Sequence, residues 1–401
     1  MNGLFGGFTC FSGRPHALYT QGHDALVPIL LGFAANGQMN SAHELSTLIH
    51  ALRTLRDGSA TKAALTTLTR TRGSTFRRPG TRMLVHGNGE VICELSGGCP
   101  QRDIVARALE VIDSGAPRLV TYNADSGLDV LIEMGCGGEL EVFIEPLQGD
   151  HDTDFIEVLA RCLDERRHIR LATLFAVDGK AVMPRRLLWD ERGILHTSID
   201  DPTLSQAIID QTSASSLQRA TALHFPLSQG AADVLVEAIA PPHALIVIGS
   251  SAAARALLPL ARALGWHTTL VDQDPSRLHA NSLPHGLNTV CAAPANLATA
   301  LSLDASSSVV VMTHNLEHDM DYLRALRGTQ LAYIGALGSR ERVARMRSDM
   351  SLNGLHLHAP AGLDIGSETP EEIALAIAAE IMAVINRRNG SSLRDNDGTI
   401  H

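Results

Sequence analysis

Apolar residues first recur at helical spacing in "SAHELSTLIHALRTLRD", which closes on Gly58. Ser41, with Glu44 three positions on, reads as a capping box, so the pattern predicts a helix over 41–57. The period then shortens to two. "AALTTLTRT" and "TRMLVHGNGEVICEL" predict strands, the latter folded into a hairpin at Asn88-Gly89. "DIVARALEVIDSG" returns to helical spacing and stops at a glycine, and "ELEVFIEPL" alternates as a strand with one face buried. From about 150 to 240 helical and strand-like pieces alternate, among them "IRLATLFAVDGKAVM" with a turn at Asp178-Gly179. "DVLVEAIAPP" predicts an edge strand ahead of a linker.

Pro241-Pro242 can neither continue a helix nor donate to a central ladder, and it marks a boundary. Beyond it, "HALIVIGS", "AAARALLPLARALG" and "HTTLVDQD" read as strand, helix and strand ending on an acid, a βαβ unit. "SSVVVMTHN", "LAYIGALGS" and a last helix "TPEEIALAIAAEIMAVINRR" extend it as a parallel sheet covered by helices. Thr369, Pro370 and Glu372 supply that helix with its N-cap, first-turn proline and capping-box acid. The fold class is α/β, with an N-terminal α/β domain and its connecting region at 41–240 and a Rossmann-like parallel-sheet domain at 241–390. Residues 391–401 form a tail, and residues 1–40, which lack clear periodicity, are an extension with no assigned function.

Composition narrows the function. An aromatic content of 4% and a net charge of −10 over 401 residues disfavour a single-stranded nucleic-acid platform and nonspecific DNA binding. Six cysteines, at 10, 93, 99, 136, 162 and 291, show neither zinc-finger spacing nor secreted-disulfide density, which points to a reducing cytoplasm. "ALVPILLGFAA" is too short to span a bilayer and is broken by Pro28, so no membrane association is expected.

Candidate chemistry gathers in three loops of the first domain. Between Gly58 and Gly89 there is no acid, while Lys62, Arg70, Arg72, Arg77, Arg78 and Arg82 concentrate positive charge; either an anion site or pairing with the chain's own acids would account for it. In "SGGC", Ser96, Gly97 and Gly98 let the backbone approach a ligand, and Cys99 sits at a helix mouth, where the dipole favours a thiolate. Gly135, Cys136, Gly137 and Gly138 repeat the arrangement in "GCGG". Two thiols, two glycine loops and an arginine loop could serve one ligand.

The second domain carries a weaker signal. Gly249, Ser250 and Ser251 stand at the first Rossmann turn, Ser251 where the second glycine belongs, and Asp272 is 23 residues past Gly249, near where a ribose-binding acid would stand. Gly338, Ser339 and Arg340, with Arg342, form another candidate anion seat at a helix entry. His314, Glu317, His318 and Asp319 are clustered in sequence, but His314 ends a strand, which disfavours a metal site.

The stretches "GSTFRRPGTRMLV", "SGGCPQRDIV", "GCGGELEVFIEPL", "VVVMTHN", "YIGALGSR" and "HAPAGLDIGSETPEEIALAIAAEI" resemble the xanthine dehydrogenase accessory proteins, the XdhC/CoxI family of molybdenum cofactor chaperones. The resemblance implies a largely non-enzymatic, cytoplasmic protein that binds molybdenum cofactor (molybdopterin) and protects it while a cysteine desulfurase installs its terminal sulfur. It implies delivery to a molybdenum hydroxylase such as xanthine dehydrogenase, with Cys99 and Cys136 facing the metal centre. Two departures stand out. "GSSA" at 249–252 replaces the family's "GAGH", which counts against NAD(P), and Pro100 and Gln101 replace a valine and an acid after "SGGC". An NAD(P)-dependent oxidoreductase and a persulfide-bearing sulfur carrier stay open as alternatives, as does a homodimer.

Overall fold

The computed structural model describes residues 39–57, 62–73, 75, 77–95, 99–123, 138–148, 153–213, 219–278, 283, 287–349, 352 and 354–395. Helix α1 (Met39–Asp57) is helical from two residues before the expected cap, so Ser41 lies inside it. The first sheet joins β1 (Ala63–Arg72), β2 (Arg82–His86), β3 (Val91–Ile92), β4 (Arg118–Tyr122) and β5 (Glu139–Leu147), all antiparallel, in the order β3-β2-β1-β5-β4. The β2–β3 hairpin turns at Asn88-Gly89 as expected, with Gly89 at φ +84°. Helix α2 (Cys99–Ser114) ends at Gly115, φ +66°, and buries Ile104, Ala108, Val111 and Ile112 against Leu68, Met83, Val85 and Val142 of this sheet.

Helix α3 (Asp154–Asp164) follows and packs on α1, where Arg53 Nε donates to Glu157 Oε1 over 2.9 Å. A second sheet is formed by β6 (Ile169–Val177), β7 (Lys180–Asp190), β8 (Gly193–Thr197), β9 (Thr221–Pro226) and β10 (Ala231–Ile239). It too is antiparallel, in the order β8-β7-β6-β10-β9, and α4 (Pro202–Ser213) covers it with Leu204 and Ile208. Asp178 and Gly179, at φ +48° and +71°, make the tight β6–β7 turn.

Two strand expectations change. Strand β10, read as an edge, lies between β6 and β9, and β5, read as half-buried, is covered on both faces. Strand β10 is interior because β9 pairs along its outer side, and the acids that both strands turn to the opposing sheet are met there by arginines. Arg70 on β1 bridges Glu141 on β5 and Asp233 on β10, at 2.6 Å each. Arg82 pairs with Glu237 on β10, and Arg186 on β7 meets Glu145 on β5 at 2.5 Å with side chains 7% and 2% exposed. Phe143 and Phe175 pack beside these pairs, ring centroids 5.8 Å apart.

Pro241-Pro242 lies between β10 and a third sheet of β11 (Ala244–Ile248), β12 (His267–Asp272), β13 (Asn288–Cys291), β14 (Ser307–Val311), β15 (Tyr333–Ala336) and β16 (Leu357–His358). All its pairings are parallel, in the order β13-β12-β11-β14-β15-β16, the doubly wound Rossmann arrangement. Helices α5 (Ala252–Ala263) and α8 (Pro370–Ile385) cover one face, and α6 (Leu316–Ala325) and α7 (Arg340–Ser348) the other. The expected capping box of α8 is present, with Thr369 accepting from Glu372 N and the Glu372 carboxylate accepting from Thr369 N. No helix among the described residues is long and apolar enough to cross a membrane.

Arg166 fastens this sheet to the rest, donating to Asp304 at 2.7 and 3.0 Å and to the carbonyl of Pro242. Next to it His243 is buried, its Nε2 2.9 Å from Ser308 Oγ and its ring edge-on to Trp266.

Replacing Arg186 with methionine should leave Glu145 as an uncompensated buried charge and cost about 3–5 kcal/mol. Urea unfolding should show most of that loss recovered in the double variant Arg186→Met/Glu145→Leu, which removes both charges. Burial, reinforced by the charge of Arg166, lowers the His243 pKa from 6.5 to about 4. The unfolded chain therefore binds a proton that the native state excludes, and the associated stability is complete above pH 6.5 and lost as pH falls towards 4. The gap corresponds to about 3 kcal/mol, and His243→Asn should flatten that part of the Tm-against-pH curve; an identical slope would assign the effect to another group.

Candidate functional site

Three loops of the first domain leave from one end of the first sheet. Strand β1 runs to Arg72, which pairs in register with Glu139, the first residue of β5, and Tyr122 at the end of β4 pairs with Leu140. The segment between Asn123 and Gly138, which carries Cys136, thus departs from and returns to that end, as does the β1–β2 loop. Helix α2 is tied to the same end, because the Tyr122 hydroxyl donates to Asp103 Oδ2 at 2.7 Å, one turn in from Cys99. Arg107 donates to the same oxygen at 2.6 Å. Burial would raise the Asp103 carboxyl, but these two donors hold it below the usual range, and burial pushes the Tyr122 phenol well up. The clamp stays an ionised acid held by a neutral phenol and a cation.

Cys99 is the first residue of α2, and Gly138 is buried directly before β5. Ser96, Gly97, Gly98, Gly135, Cys136 and Gly137 lie outside the described residues. A cleft of about 520 Å³ opens beside the α2 entry, lined by Val91, Cys93, Glu94, Gln101, Arg102 and Val105. Cys93 was not singled out by pattern; its backbone is left-handed, φ +63°, and its thiol donates towards the carbonyl of Glu44 over 3.6 Å. Burial and the Glu44 charge raise its pKa against the smaller pull of Arg77, so this thiol is a protonated neighbour of the site.

The basic loop divides in two. Most of its arginines meet acids of the chain itself: Arg72 lies 3.7 Å from Glu139, Arg77 2.8 Å from Glu44, and Arg82 is buried against Glu237. Gly80 makes the last pairing fit, since at φ +90° a Cβ there would sit 2.5 Å from Glu237 Oε1. Arg78 is different, with Arg219 and Arg388 as its charged neighbours.

At the third sheet, Gly249 (φ +98°) passes so close to β14 that a Cβ would lie 2.8 Å from Thr313 N. Ser250 follows, and Ser251 caps α5 itself, its hydroxyl accepting from Ala254 N at 3.2 Å. Asp272 is 5% exposed at the carboxyl end of β12; Oδ1 accepts from Asp274 N, while Oδ2 has no hydrogen-bond partner. Ser339 caps α7, and Arg340 is exposed beside it. A Cβ on Gly338 would meet Arg342 Cδ at 2.8 Å, and Arg342 turns inward to Asp319 and to the carbonyls of Thr313 and His314. Asp319, fully buried, is therefore engaged by Arg342 and Thr313.

Two family models match the chain, the XdhC and CoxI family over residues 58–123 and the XdhC Rossmann domain over 245–381. The chain is 28% identical over 336 residues to a Bacillus subtilis protein named as a probable xanthine dehydrogenase subunit, covering 81% of this chain and 94% of that one. It is 23% identical over 331 residues to the molybdenum cofactor insertion chaperone PaoD of Escherichia coli, covering 80% and 83%. Among solved structures it is similar to a protein from Bacillus halodurans described as a xanthine dehydrogenase, with a TM-score of 0.70, 25% identity, and coverage of 86% of this chain and 98% of that one. The first matched stretch contains β1 to β4 with the arginine loop and the Cys99 helix, the second contains the doubly wound third sheet almost whole, and the chain belongs to the XdhC and CoxI family.

Proposed function

We propose that the protein is a molybdenum cofactor chaperone: it takes the anionic pterin cofactor at the loop-bearing end of the first sheet and protects it while a cysteine desulfurase installs its terminal sulfur. Transfer to a molybdenum hydroxylase of the xanthine dehydrogenase type follows. The observation that carries this reading is the attachment of the Cys99 and Cys136 loops and the arginine loop to the same sheet end, with α2 fixed there by Asp103 and Tyr122. The donor set suits the cargo. Soft thiolates of Cys99 and Cys136 match molybdenum or its sulfur, the glycines beside them admit a fused ring system, and Arg78, which has no carboxylate partner among the described residues, suits the phosphate. The relative named as a molybdenum cofactor insertion chaperone supports the same class of cargo. The clamp at Asp103 acts only on position: it holds the first turn of α2 against β4 while the ligand is exchanged.

After loading with intact cofactor, oxidised-pterin fluorescence should report about one pterin per chain. Cys99→Ser and Cys136→Ser keep the side-chain volume but are poor soft ligands, and each should lower retention by about tenfold or more. Pterin no higher than on an unrelated control protein would dismiss the reading, and equal retention by the double variant would remove the thiols from it.

A second reading rests on Asp272, at the end of β12 where a Rossmann fold keeps its ribose-binding acid; its Oδ2 makes no hydrogen bond and has the Arg277 guanidinium 3.9 Å away. Ser251 opposes it, because its side chain stands at the pyrophosphate approach and already takes one of the free helix N–H groups. NAD(H) and NADP(H) should bind weakly in calorimetry. Ser251→Gly, which costs the helix only a few tenths of a kcal/mol, should tighten binding; tight binding by the unaltered chain would favour an oxidoreductase.

A further inference from the structure

The second sheet meets the first near its loop-bearing end. Arg70, two residues short of the β1 terminus at Arg72, lies 5.3 Å over the ring of Phe175 on β6 and reaches Asp233 on β10 at 2.6 Å. Beside Asp233 stands His224: the two are register partners between β10 and β9, and His224 Nδ1 is 3.1 Å from Asp233 Oδ1. Strand β9 carries this imidazole towards the loops. Ala220, just before the strand, lies by Gly80, whose N–H donates to Leu68 O of β1, whereas His224 is tied through Asp233 to Arg70, further along β1 in the direction of Arg72. The β6–β7 and β9–β10 turns close beyond it and are joined there, Ala231 N donating to Asp178 Oδ1 at 2.9 Å.

The pair has a defined polarity. A carboxylate already paired with Arg70 only accepts, so Nδ1 of His224 carries the ring proton and Nε2 is left as an acceptor. Among the described residues Nε2 has no hydrogen-bond partner. His224 lies on the face of the second sheet that is turned to the first, yet its side chain is 66% exposed, because β9 is an edge strand. The bridge from Arg70 to Asp233 does not need it. An imidazole whose tautomer is fixed by a carboxylate and whose second nitrogen is open to solvent is a preorganised acceptor for a ligand N–H. We propose that His224, contributed by the second sheet and held by Asp233, is a further cofactor-binding residue whose Nε2 accepts a hydrogen bond from an N–H of the pterin. The residue lies outside both stretches matched by the family models, 58–123 and 245–381. The assignment rests on the cofactor reading and adds to it a residue and a hydrogen bond.

Two substitutions separate ligand contact from support of Asp233. His224→Asn keeps a donor at the Nδ1 position and has nothing at Nε2, whereas His224→Gln carries an oxygen out to the Nε2 position. After the full chain is loaded with intact cofactor, oxidised-pterin fluorescence should show retention lowered about fivefold in His224→Asn and largely kept in His224→Gln. Thermal unfolding checks that both variants fold. In the unaltered chain, diethyl pyrocarbonate acylates exposed imidazoles, and peptide mass spectrometry should find His224 modified several-fold more slowly after loading, with His356, exposed ahead of β16, unchanged as the reference. Full retention by both variants, or equal loss in both, overturns the assignment, as does acylation of His224 at one rate with and without cofactor. An unaltered chain that takes up no pterin dismisses the chaperone reading and the role of His224 with it, a result distinct from a loaded chain indifferent to residue 224.

Discussion

The layer of arginines and carboxylates between the two antiparallel sheets is the constraint from which the rest of the first half follows. Arg70, Arg82 and Arg186 meet Glu141, Asp233, Glu237 and Glu145 across a contact that elsewhere consists of Phe143, Phe175 and Leu235. Desolvating these groups costs several kcal/mol per ion, so the pairs add little net stability over an apolar layer. What they do impose is register. A strand slipped by one residue would turn Glu145 or Glu237 to the wrong face and leave a buried charge alone, a penalty an oily interface would not exact. With that register set, the ends of β1, β4 and β5 coincide, and the loops of the candidate site start from a common edge.

The parallel sheet obeys a different logic. Its strands are apolar on both faces, as Ile246 to Ile248 and Val309 to Val311 illustrate, and its order is specified by the handedness of the crossovers instead of by charges. It meets the antiparallel half through a few polar contacts, chiefly Arg166 with Asp304, together with a buried imidazole at His243 that stays neutral.

Much of the scaffold was legible in the chain because the signals were local. Asn88-Gly89, Asp178-Gly179, Gly115 and the Thr369–Glu372 box each report on a few neighbouring residues, and each turn or cap is found where expected. The α/β class and a Rossmann-like parallel sheet covered by helices followed from period, length and the Pro241-Pro242 boundary, whereas the strand order came from the fold. The parts that were missed depend on partners distant in sequence. The alternation of β5 looked half-solvated because nothing near Glu145 reveals that Arg186 will cover it, and β10 looked like an edge because β9, the strand that flanks it, has a weak pattern. In the arginine loop, charge density was visible but its division was not: Arg77 and Arg82 are claimed by Glu44 and Glu237, whereas Arg78 has no carboxylate partner among the described residues. Cys93 carried no sequence signal beyond its type, because its left-handed backbone follows from the path of β3 into α2.

Gly80 ties several of these features into one unit of inheritance. Its left-handed backbone lies over the carboxylate of Glu237, and that carboxylate in turn satisfies the buried guanidinium of Arg82. A side chain at position 80 is admissible only if position 237 shrinks, and a smaller residue at 237 strands the cation at 82. Drift at any one of the three is therefore blocked by the other two, so across descendants of this chain the trio should be retained or exchanged together, with the loop that carries Arg78 kept in place as a by-product.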